Sequence, residues 1–143
     1  IVTLFGGGGF IGRYVAQALF KAGARVRIAE REPRDAYHLR PLTGLGMIQF
    51  LRADVTDLRL PRQPFVVVSN PPFDGVSAVL ARLTHRHSRL VRADIVTPIS
   101  VASRWSERLD RTAWRLTVVR RLPRSAFRPP PRVDCCVVRI QPH

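Results

Sequence analysis

Residues 1–12 have the sequence IVTLFGGGGFIG, in which a short apolar run leads into four consecutive glycines. The apolar run predicts a strand over residues 1–5. Apolar positions at helical spacing then predict a helix over residues 10–22 that stops at Gly23. A strand, a glycine turn and a helix in this order are typical of the first unit of a parallel α/β sheet.

The same alternation continues along the chain. Its last two strands have no helix between them, so they should pair antiparallel, whereas helical crossovers make the earlier strands parallel. We therefore predict one three-layer, Rossmann-like α/β domain over residues 1–143 with strand order 3-2-1-4-5-7-6. The pattern predicts strands at 25–30, 47–51, 65–69, 89–96, 116–122 and 135–140, and helices or turns at 33–42, 76–83 and 99–108.

The composition indicates a partner with negative charge. The chain carries 24 Lys and Arg against 10 Asp and Glu, a formal net charge of +14, and Lys21 is its one lysine. A field of this sign attracts polyanions, and guanidinium groups bind phosphates and stack on bases. RNA binding is one interpretation of this charge. The other is a genome of high GC content, which favours arginine codons. Apolar runs are too short for a membrane span, and we expect no membrane association.

Metal and disulfide chemistry are not predicted. Cys135 and Cys136 are neighbours in a predicted strand and point to opposite faces, so a bridge between them is not expected. This favours a reducing compartment, and we expect a cytoplasmic protein without a leader peptide. His85 and His87 lie among arginines without nearby Cys or carboxylate groups, so a solvated turn is the favoured interpretation and no metal is expected.

The glycine loop predicts a nucleotide site at the end of the first strand. Gly6, Gly9 and Gly12 have the spacing that allows a tight turn, close approach of a ligand, and close packing of helix on strand. Glu30 ends the second predicted strand, where an acid can accept hydrogen bonds from ribose hydroxyls, and Asp54 follows the third, near an adenine edge. A glycine-rich turn that binds nothing is the alternative.

The front of the chain resembles an atypical short-chain dehydrogenase/reductase of the complex I accessory-subunit type. The likeness covers residues 1 to about 57 and rests on residues 4–15 and 22–29. It implies NAD(P) as a cofactor. Hydride transfer does not follow, because the Tyr-x-x-x-Lys pair of those enzymes is missing: the residue four before Lys21 is Gln17.

A second motif, Asn70-Pro71-Pro72-Phe73, follows the predicted strand at 65–69. It is the motif of enzymes that methylate an exocyclic amine of a nucleic-acid base. The Asn70 side-chain oxygen and the Pro71 carbonyl can accept the two amine hydrogens, while the prolines stiffen the loop and Phe73 offers a stacking face. A plain strand-to-helix turn is the alternative.

Residues 127–134, with the sequence FRPPPRVD, form a third element. Together with the Asn70 motif they resemble erythromycin-resistance-type rRNA adenine-N6 methyltransferases and their small-subunit dimethylase relatives, from about residue 53 to 140. The likeness implies S-adenosylmethionine as cofactor, a 23S rRNA-type substrate, a methyltransferase sheet with its last strand antiparallel, and Phe127 flanking the flipped adenine opposite Phe73. It also implies that Asn70 and Gly8 help to line the cofactor site. A structural proline hairpin is the alternative for residues 127–134.

The two likenesses differ at the glycine loop. Methyltransferases of this family have the pattern acid-x-Gly-x-Gly-x-Gly, in which Gly6 and Gly8 match but Leu4 replaces the acid and Phe10 the last glycine. We therefore predict a hybrid with a seam near residues 53–62. Three functions stay open: a monomeric rRNA adenine-N6 methyltransferase core, active or impaired; an NAD(P)-binding module without catalysis; and a basic RNA-binding scaffold without a cofactor.

Overall fold

The computed structural model describes residues 1–54, 59–126 and 130–143; for Phe10 and Ile11 it describes the backbone alone. The chain divides into two compact units, Ile1–Leu58 and Arg59–His143. Each unit is described by itself below. That the two units form one domain, with a seam near residues 53–62, stays a prediction.

The first unit is a three-stranded parallel sheet with β2 in the middle, flanked by β1 and β3. Its elements are β1 (Val2–Phe5), α1 (Phe10–Lys21), β2 (Val26–Glu30), the 3₁₀ helix η1 (Pro33–Leu42) and β3 (Ile48–Arg52). Ile28 of β2 and Leu39 of η1 are fully buried, and each contributes about 1.5–3 kcal/mol by burial. Leu4 and Phe50 pack against this core.

The second unit is a four-stranded mixed sheet in the order β4-β5-β7-β6. β4 and β5 are parallel, and β7 pairs antiparallel with both β5 and β6. Its elements are β4 (Phe65–Ser69), α2 (Val76–Leu83), β5 (Leu90–Pro98), α3 (Ile99–Leu109), β6 (Trp114–Leu122), the short 3₁₀ helix η2 (Arg124–Ala126) and β7 (Cys135–Pro142).

The core of the second unit lies between its helices and one face of the sheet. Ile95, Val138 and Ile140 are completely buried in the central strands. The indole nitrogen of Trp105 in α3 donates to the hydroxyl of Ser77 in α2 at 3.3 Å, which links the two helices. Cys135 and Cys136 are buried and are free thiols.

The predicted α/β fold is confirmed. The first sheet has the predicted strand order 3-2-1, and the second sheet has the predicted order 4-5-7-6. The last strand of the chain, β7, is antiparallel to both of its neighbours, β5 and β6. The pattern began β6 too late, at residue 116, and ended β7 too early, at residue 140, because Trp114 pairs with Pro142 beyond the apolar runs. No helix among the described residues is long and apolar enough to cross a membrane.

Candidate functional site

Three candidate cofactor residues lie at one edge of the first sheet. Gly6 directly follows β1, Glu30 is the last residue of β2, and Asp54 lies two residues beyond β3. The backbone N–H of Ala53 donates to the Glu30 carbonyl at 2.8 Å, so the pairing of β2 and β3 continues to this edge. Ligands of open parallel sheets bind outside the carboxyl ends of the strands, and the topology brings these residues to that position.

The glycine loop begins with a residue in the left-handed region. Gly6 has a φ of +70°, and a Cβ built on it meets nothing within 4 Å. The N–H of Gly9 donates to the Gly6 carbonyl at 3.1 Å, and the N–H of Arg13 donates to the Gly9 carbonyl at the same distance. The loop is therefore a tight turn whose first glycine has open space beside it.

Two other glycines of the loop are packed closely by neighbouring backbone. A Cβ on Gly12 would overlap the carbonyl oxygen of Gly6 and lie 2.7 Å from the Gly7 Cα. A Cβ on Gly8 would lie 3.0 Å from the Asp35 carbonyl oxygen and 3.1 Å from Ala36. Gly8 and Gly12 are thus required because neighbouring backbone approaches them closely.

Glu30 makes a contact that the sequence did not reveal. Its Oε1 accepts the backbone N–H of Gly8 at 2.6 Å, across 22 residues of sequence. The charged acceptor holds the glycine loop against the end of β2. The carboxylate has a second oxygen, so support of the loop and the predicted acceptance from a ribose hydroxyl are compatible. The parallel register, which puts the end of β2 beside the end of β1, is the signal that could have indicated this contact.

Arg13, which follows the last glycine of the loop, interacts with its neighbour Tyr14. Its Nη2 donates to the Tyr14 hydroxyl at 3.2 Å, and its guanidinium lies 4.9 Å from the centre of the Tyr14 ring. Leu4, at the position of the acid in methyltransferases of this family, is partly buried and packs against the apolar core. The leucine therefore has a structural role and offers no hydrogen bond to a ligand.

The Asn-Pro-Pro-Phe motif forms the turn between β4 and α2. Asn70 is exposed, Pro71 is buried and Phe73 is 39% exposed. The N–H of Gly75 donates to the Pro72 carbonyl at 2.9 Å, which closes the turn before α2 begins at Val76. The buried Pro71 anchors the turn while the side chains of Asn70 and Phe73 stay accessible.

The described part of the third motif, residues 130–134, lies at the same edge of the second sheet. Pro98 at the end of β5 pairs with Cys135 at the start of β7, and the N–H of Ile99 donates to the Asp134 carbonyl at 3.0 Å. Because β4 is parallel to β5, the Asn70 turn leaves the sheet at this edge as well. Phe127, predicted as the second wall of the base site, lies outside the described residues.

A side-chain hydrogen bond stabilises the loop that leads into these residues. The Nε of Arg124 donates to the Pro131 carbonyl at 2.9 Å, across seven residues. The N–H of Ala126 donates to the Pro123 carbonyl at 2.9 Å and forms the short helix η2. The two ends of the loop between β6 and β7 are therefore held together on its described residues.

One ion-pair network on the second sheet was missed from the sequence. Asp94 accepts from Nε and Nη2 of Arg139 at 2.7 and 3.3 Å, and Nε of Arg92 lies 3.3 Å from the same carboxylate. The hydrogen bond from Arg139 holds the pKa of Asp94 below its usual range, against the opposing effect of burial. Asp94 and Arg139 are cross-strand partners 45 residues apart in the chain, so local patterning does not connect them.

Two other groups of titratable residues give no sign of a reactive centre. Burial raises the pKa of the Cys135 and Cys136 thiols, which favours the unreactive protonated form. The rings of His85 and His87 lie 5.4 Å apart, and Nε of Arg86 donates to His87. Among the described residues, no group of three or more His, Cys, Asp or Glu could hold a metal ion.

Sequence comparison relates most of the chain to rRNA methyltransferases. It is 30% identical to an rRNA adenine N-6-methyltransferase of Bacillus licheniformis over 101 residues, which are 64% of this chain and 35% of that protein. It is 29% identical to ribosomal RNA small subunit methyltransferase A of a Synechococcus strain, over 90% of this chain and 52% of that protein. The chain thus spans about a third to a half of these relatives. No protein-family model matches it.

The front of the chain has a second relative. Over 58 residues, 40% of this chain, it is 41% identical to the NADH dehydrogenase 1 alpha subcomplex subunit 9 of Mus musculus, of which the match covers 15%. The Synechococcus match spans 90% of the chain, so it includes most of residues 1–57 as well. The methyltransferase likeness is therefore not confined to residues 53–140 as predicted, and the comparisons do not support a hybrid.

Solved structures give the same fold over the whole chain. The crystal structure of 23S rRNA methyltransferase ErmE matches with a TM-score of 0.71 at 24% identity, covering 99% of this chain and 61% of that chain. A dimethyladenosine transferase from Plasmodium falciparum matches with a TM-score of 0.66 at 18% identity, covering 99% and 55%. The chain has the Rossmann-like fold of the methyltransferases, and most of its sequence is similar to rRNA adenine N-6-methyltransferases.

Proposed function

We propose that this chain is the core of an S-adenosylmethionine-dependent methyltransferase that modifies the N6 amine of adenine in rRNA. The observation that carries the proposal is the Asn70–Phe73 turn at the carboxyl end of β4, with Asn70 and Phe73 exposed and Pro71 buried. The rRNA methyltransferases that the chain resembles over most of its length support the same substrate class.

The turn suits a substrate amine that is a poor nucleophile. The N6 lone pair of adenine is delocalised into the ring, and two hydrogen-bond acceptors on its two hydrogens make it more available. In our proposal the side-chain oxygen of Asn70 is one acceptor and the Pro71 carbonyl is the other. The ring of Pro71 fixes its φ and the following Pro72 restricts its ψ, so the Pro71 carbonyl keeps its direction and needs little reorganisation during the reaction.

Phe73 is proposed to hold the target base outside its RNA stack. Phe73 is 39% exposed, so the residue is accessible to a base. Stacking of one base on an aromatic ring contributes about 1–3 kcal/mol, comparable to the cost of unstacking a base in single-stranded RNA. Phe127 is proposed as a second wall from its position in the sequence motif.

The residues at the edge of the first sheet fit the adenosine part of the cofactor. Glu30 presents a carboxylate at the end of β2, Asp54 follows β3, and Gly6 has open space beside it. When bound, S-adenosylmethionine supplies an activated methyl group. Leu4 stands where the family has the acid that supports the methionine end, and its side chain packs against the core and offers no hydrogen bond, which predicts weak cofactor affinity.

Charge supports RNA as the partner. The chain has a formal net charge of +14, and an enzyme on rRNA has to compete with counterions for phosphates. Affinity should therefore fall steeply with salt concentration. With rRNA as substrate we also expect the protein in the cytoplasm, and we expect it to act as a monomer.

Methyl transfer tests the proposal directly. Tritiated S-adenosylmethionine is incubated with the protein and a 23S rRNA fragment, and the label in RNA is counted. Asn70→Ala should lower the rate by about 100-fold, because one of two acceptors is lost. Gln141→Ala, which removes another exposed amide at the end of β7, should leave the rate unchanged. If the wild-type protein transfers no label to 23S or 16S rRNA, the enzymatic proposal is wrong.

Nucleotide binding without catalysis is the second candidate, favoured by the likeness of the front to the NADH dehydrogenase subunit. Titration calorimetry with S-adenosylhomocysteine, NAD and NADP separates the two candidates. Heat from S-adenosylhomocysteine alone supports the methyltransferase. Tight binding of NAD or NADP with no response to S-adenosylhomocysteine would replace it with the nucleotide-binding module, and no response to any of the three would favour the RNA-binding scaffold.

A further inference from the structure

The edge of the second sheet at which β4 and β5 begin is the opposite edge from the Asn70 turn. Three connections meet there: residues 62–64 before β4, residues 84–89 between α2 and β5, and residues 110–113 between α3 and β6. Because β7 is antiparallel to β5, the end of β7 lies at this edge as well. We call the three connections together with His143 the amino edge.

Backbone hydrogen bonds join the parts of the amino edge. The N–H of Phe65 donates to the Arg89 carbonyl at 3.2 Å, which joins the start of β4 to the turn before β5. The N–H of His143 donates to the Ala113 carbonyl at 3.1 Å, which joins the end of β7 to the turn before β6. Neighbouring strands are about 4.8 Å apart, so the four strands make this edge about 15 Å wide. Residues that are distant in the chain therefore lie side by side in one row.

The amino edge is strongly cationic. Each of its three connections contributes exposed arginines, which are Arg62, Arg86, Arg89 and Arg111. Both ion pairs on the described residues involve Asp94, so these arginines have no ion-pair partner in the described part of the chain. Arg86 donates through Nε to His87 at 3.0 Å, a contact that leaves its Nη groups for a ligand. The carboxylate within the three connections is Asp110.

The composition of the amino edge favours a phosphate chain over a protein or a membrane. Protein interfaces are anchored by large apolar or aromatic side chains, and helices on membrane surfaces insert such side chains into the lipid. The three connections contain no Leu, Ile, Val, Met, Phe, Tyr or Trp. Arginine, in contrast, binds phosphate through two parallel hydrogen bonds. The amino edge therefore offers phosphate ligands and lacks apolar anchors.

We propose that the amino edge binds the phosphate backbone of the substrate RNA at a distance from the target base. The inference rests on RNA as the partner in the proposed function and adds a second contact to the base site. Ser69, which precedes Asn70, pairs with Ile95. At about 3.3 Å per strand residue, Arg89 lies about 20 Å from that level.

This separation sets the size of the RNA that reaches both places. A nucleic-acid duplex advances about 3 Å per base pair, so about 20 Å corresponds to about seven base pairs. An RNA hairpin with a longer stem can place an adenine of its loop at the Asn70 turn and its stem phosphates on the amino edge. A hairpin with a stem of about four base pairs reaches the first place alone.

Two RNA hairpins with the same loop test the proposal on the full chain without a methyl donor. Their stems have about 12 and about 4 base pairs, and fluorescence anisotropy of a fluorescein label measures affinity between about 50 and 200 mM salt. The triple variant Arg62→Gln/Arg86→Gln/Arg111→Gln removes three proposed phosphate ligands. It should weaken the long hairpin at least about tenfold at 100 mM salt and lower the slope of log K against log salt by about 2–3. The affinity of the short hairpin should change less than about twofold.

The matched control compares two single variants that each remove one arginine charge. Arg111→Gln changes the amino edge and should lower the salt slope for the long hairpin by about 0.9. Arg104→Gln changes an exposed residue within α3 and should lower it by less than about 0.3. Circular dichroism checks that every variant is folded.

Several results would overturn the proposal. These are equal effects of Arg111→Gln and Arg104→Gln, equal weakening of both hairpins by the triple variant, or no binding of the long hairpin up to about 1 mM. A poly-glutamate peptide whose binding is lost in the triple variant, while the long hairpin is unaffected, would assign the edge to an acidic protein instead. A protein that binds the hairpins as expected but transfers no methyl group keeps this inference and loses the proposed function. Methyl transfer with hairpin affinities that ignore the triple variant does the reverse.

Discussion

Replacing Gly12 by alanine should destabilise the first unit, although alanine is the better helix former. Gly12 is the third residue of α1, where the helix crosses the glycine loop. The new Cβ would overlap the Gly6 carbonyl oxygen and lie 2.7 Å from the Cα of Gly7, where an ordinary contact needs at least 3.4 Å. Both neighbours are backbone atoms, so rotation of a side chain cannot relieve the overlap.

The size of the effect follows from three contributions. Alanine gains about 1 kcal/mol in helix propensity over glycine. Overpacking a tight site costs about 1–3 kcal/mol, and the two overlaps put Gly12→Ala at the upper end. Bending backbone angles to move the loop adds about 1 kcal/mol. The net loss should be about 2–3 kcal/mol, a large part of the stability of a small protein.

Urea unfolding followed by circular dichroism measures this loss, with two other glycines as references. Gly44→Ala meets no atom within 4 Å and has no positive φ, so it should stay within about 0.5 kcal/mol of wild type. Gly6→Ala has the same open space but a φ of +70°, which should cost about 1 kcal/mol. If Gly12→Ala is as stable as wild type, the close packing of α1 on the loop is refuted.

Three further predictions concern charged and buried groups. Glu30→Ala removes the acceptor of the Gly8 N–H and should weaken S-adenosylhomocysteine binding more than about tenfold in calorimetry. The affinity of Glu30→Gln should lie between those of wild type and Glu30→Ala. Asp94→Asn should lose about 1 kcal/mol in urea unfolding at pH 7. Folding lowers the pKa of Asp94. The stability difference between wild type and Asp94→Asn is therefore complete above the pKa of the unfolded state, about 3.9, and disappears as the pH falls through the lower pKa of the folded state. Cys135 and Cys136 are buried with raised pKa values, so iodoacetamide at pH 8 should label them about 100-fold faster in urea than in the native protein.

Each of these has a contrary result. Equal affinity of Glu30→Ala and wild type would remove Glu30 from the cofactor site. A stability difference for Asp94→Asn that persists at pH 2 would mean that packing, and not ionisation, is responsible. Rapid native labelling of the cysteines would show that β7 opens readily.

The position of the Asn70–Phe73 motif was predictable from local sequence because strands and turns are local patterns. The run at Phe65–Ser69 is apolar and bounded by two prolines, and the structure ends β4 at Ser69 as predicted. The helix after it, Val76–Leu83, also has the predicted bounds. Proline and glycine restrict the backbone whatever the rest of the chain does.

The contacts around the motifs were not predictable in the same way. The Glu30–Gly8 hydrogen bond joins residues 22 apart, and the Arg139–Asp94 pair joins residues 45 apart. Such contacts depend on the register of neighbouring strands, and register is a property of the assembled sheet. The extent of the methyltransferase likeness was underestimated as well, since residues 1–57 carry a glycine spacing that two kinds of nucleotide site share.

The sequence by itself determined the α/β alternation, the bounds of most elements, the glycine turn, the Asn70–Phe73 motif and the strong positive charge, because each depends on residues close in the chain or on composition alone. The tertiary structure decided which glycines are needed for packing, what Glu30 contacts, and that Arg139 and Arg92 both engage Asp94. Those features arise when strands distant in sequence come together, since hydrogen bonding between strands fixes which side chains become neighbours.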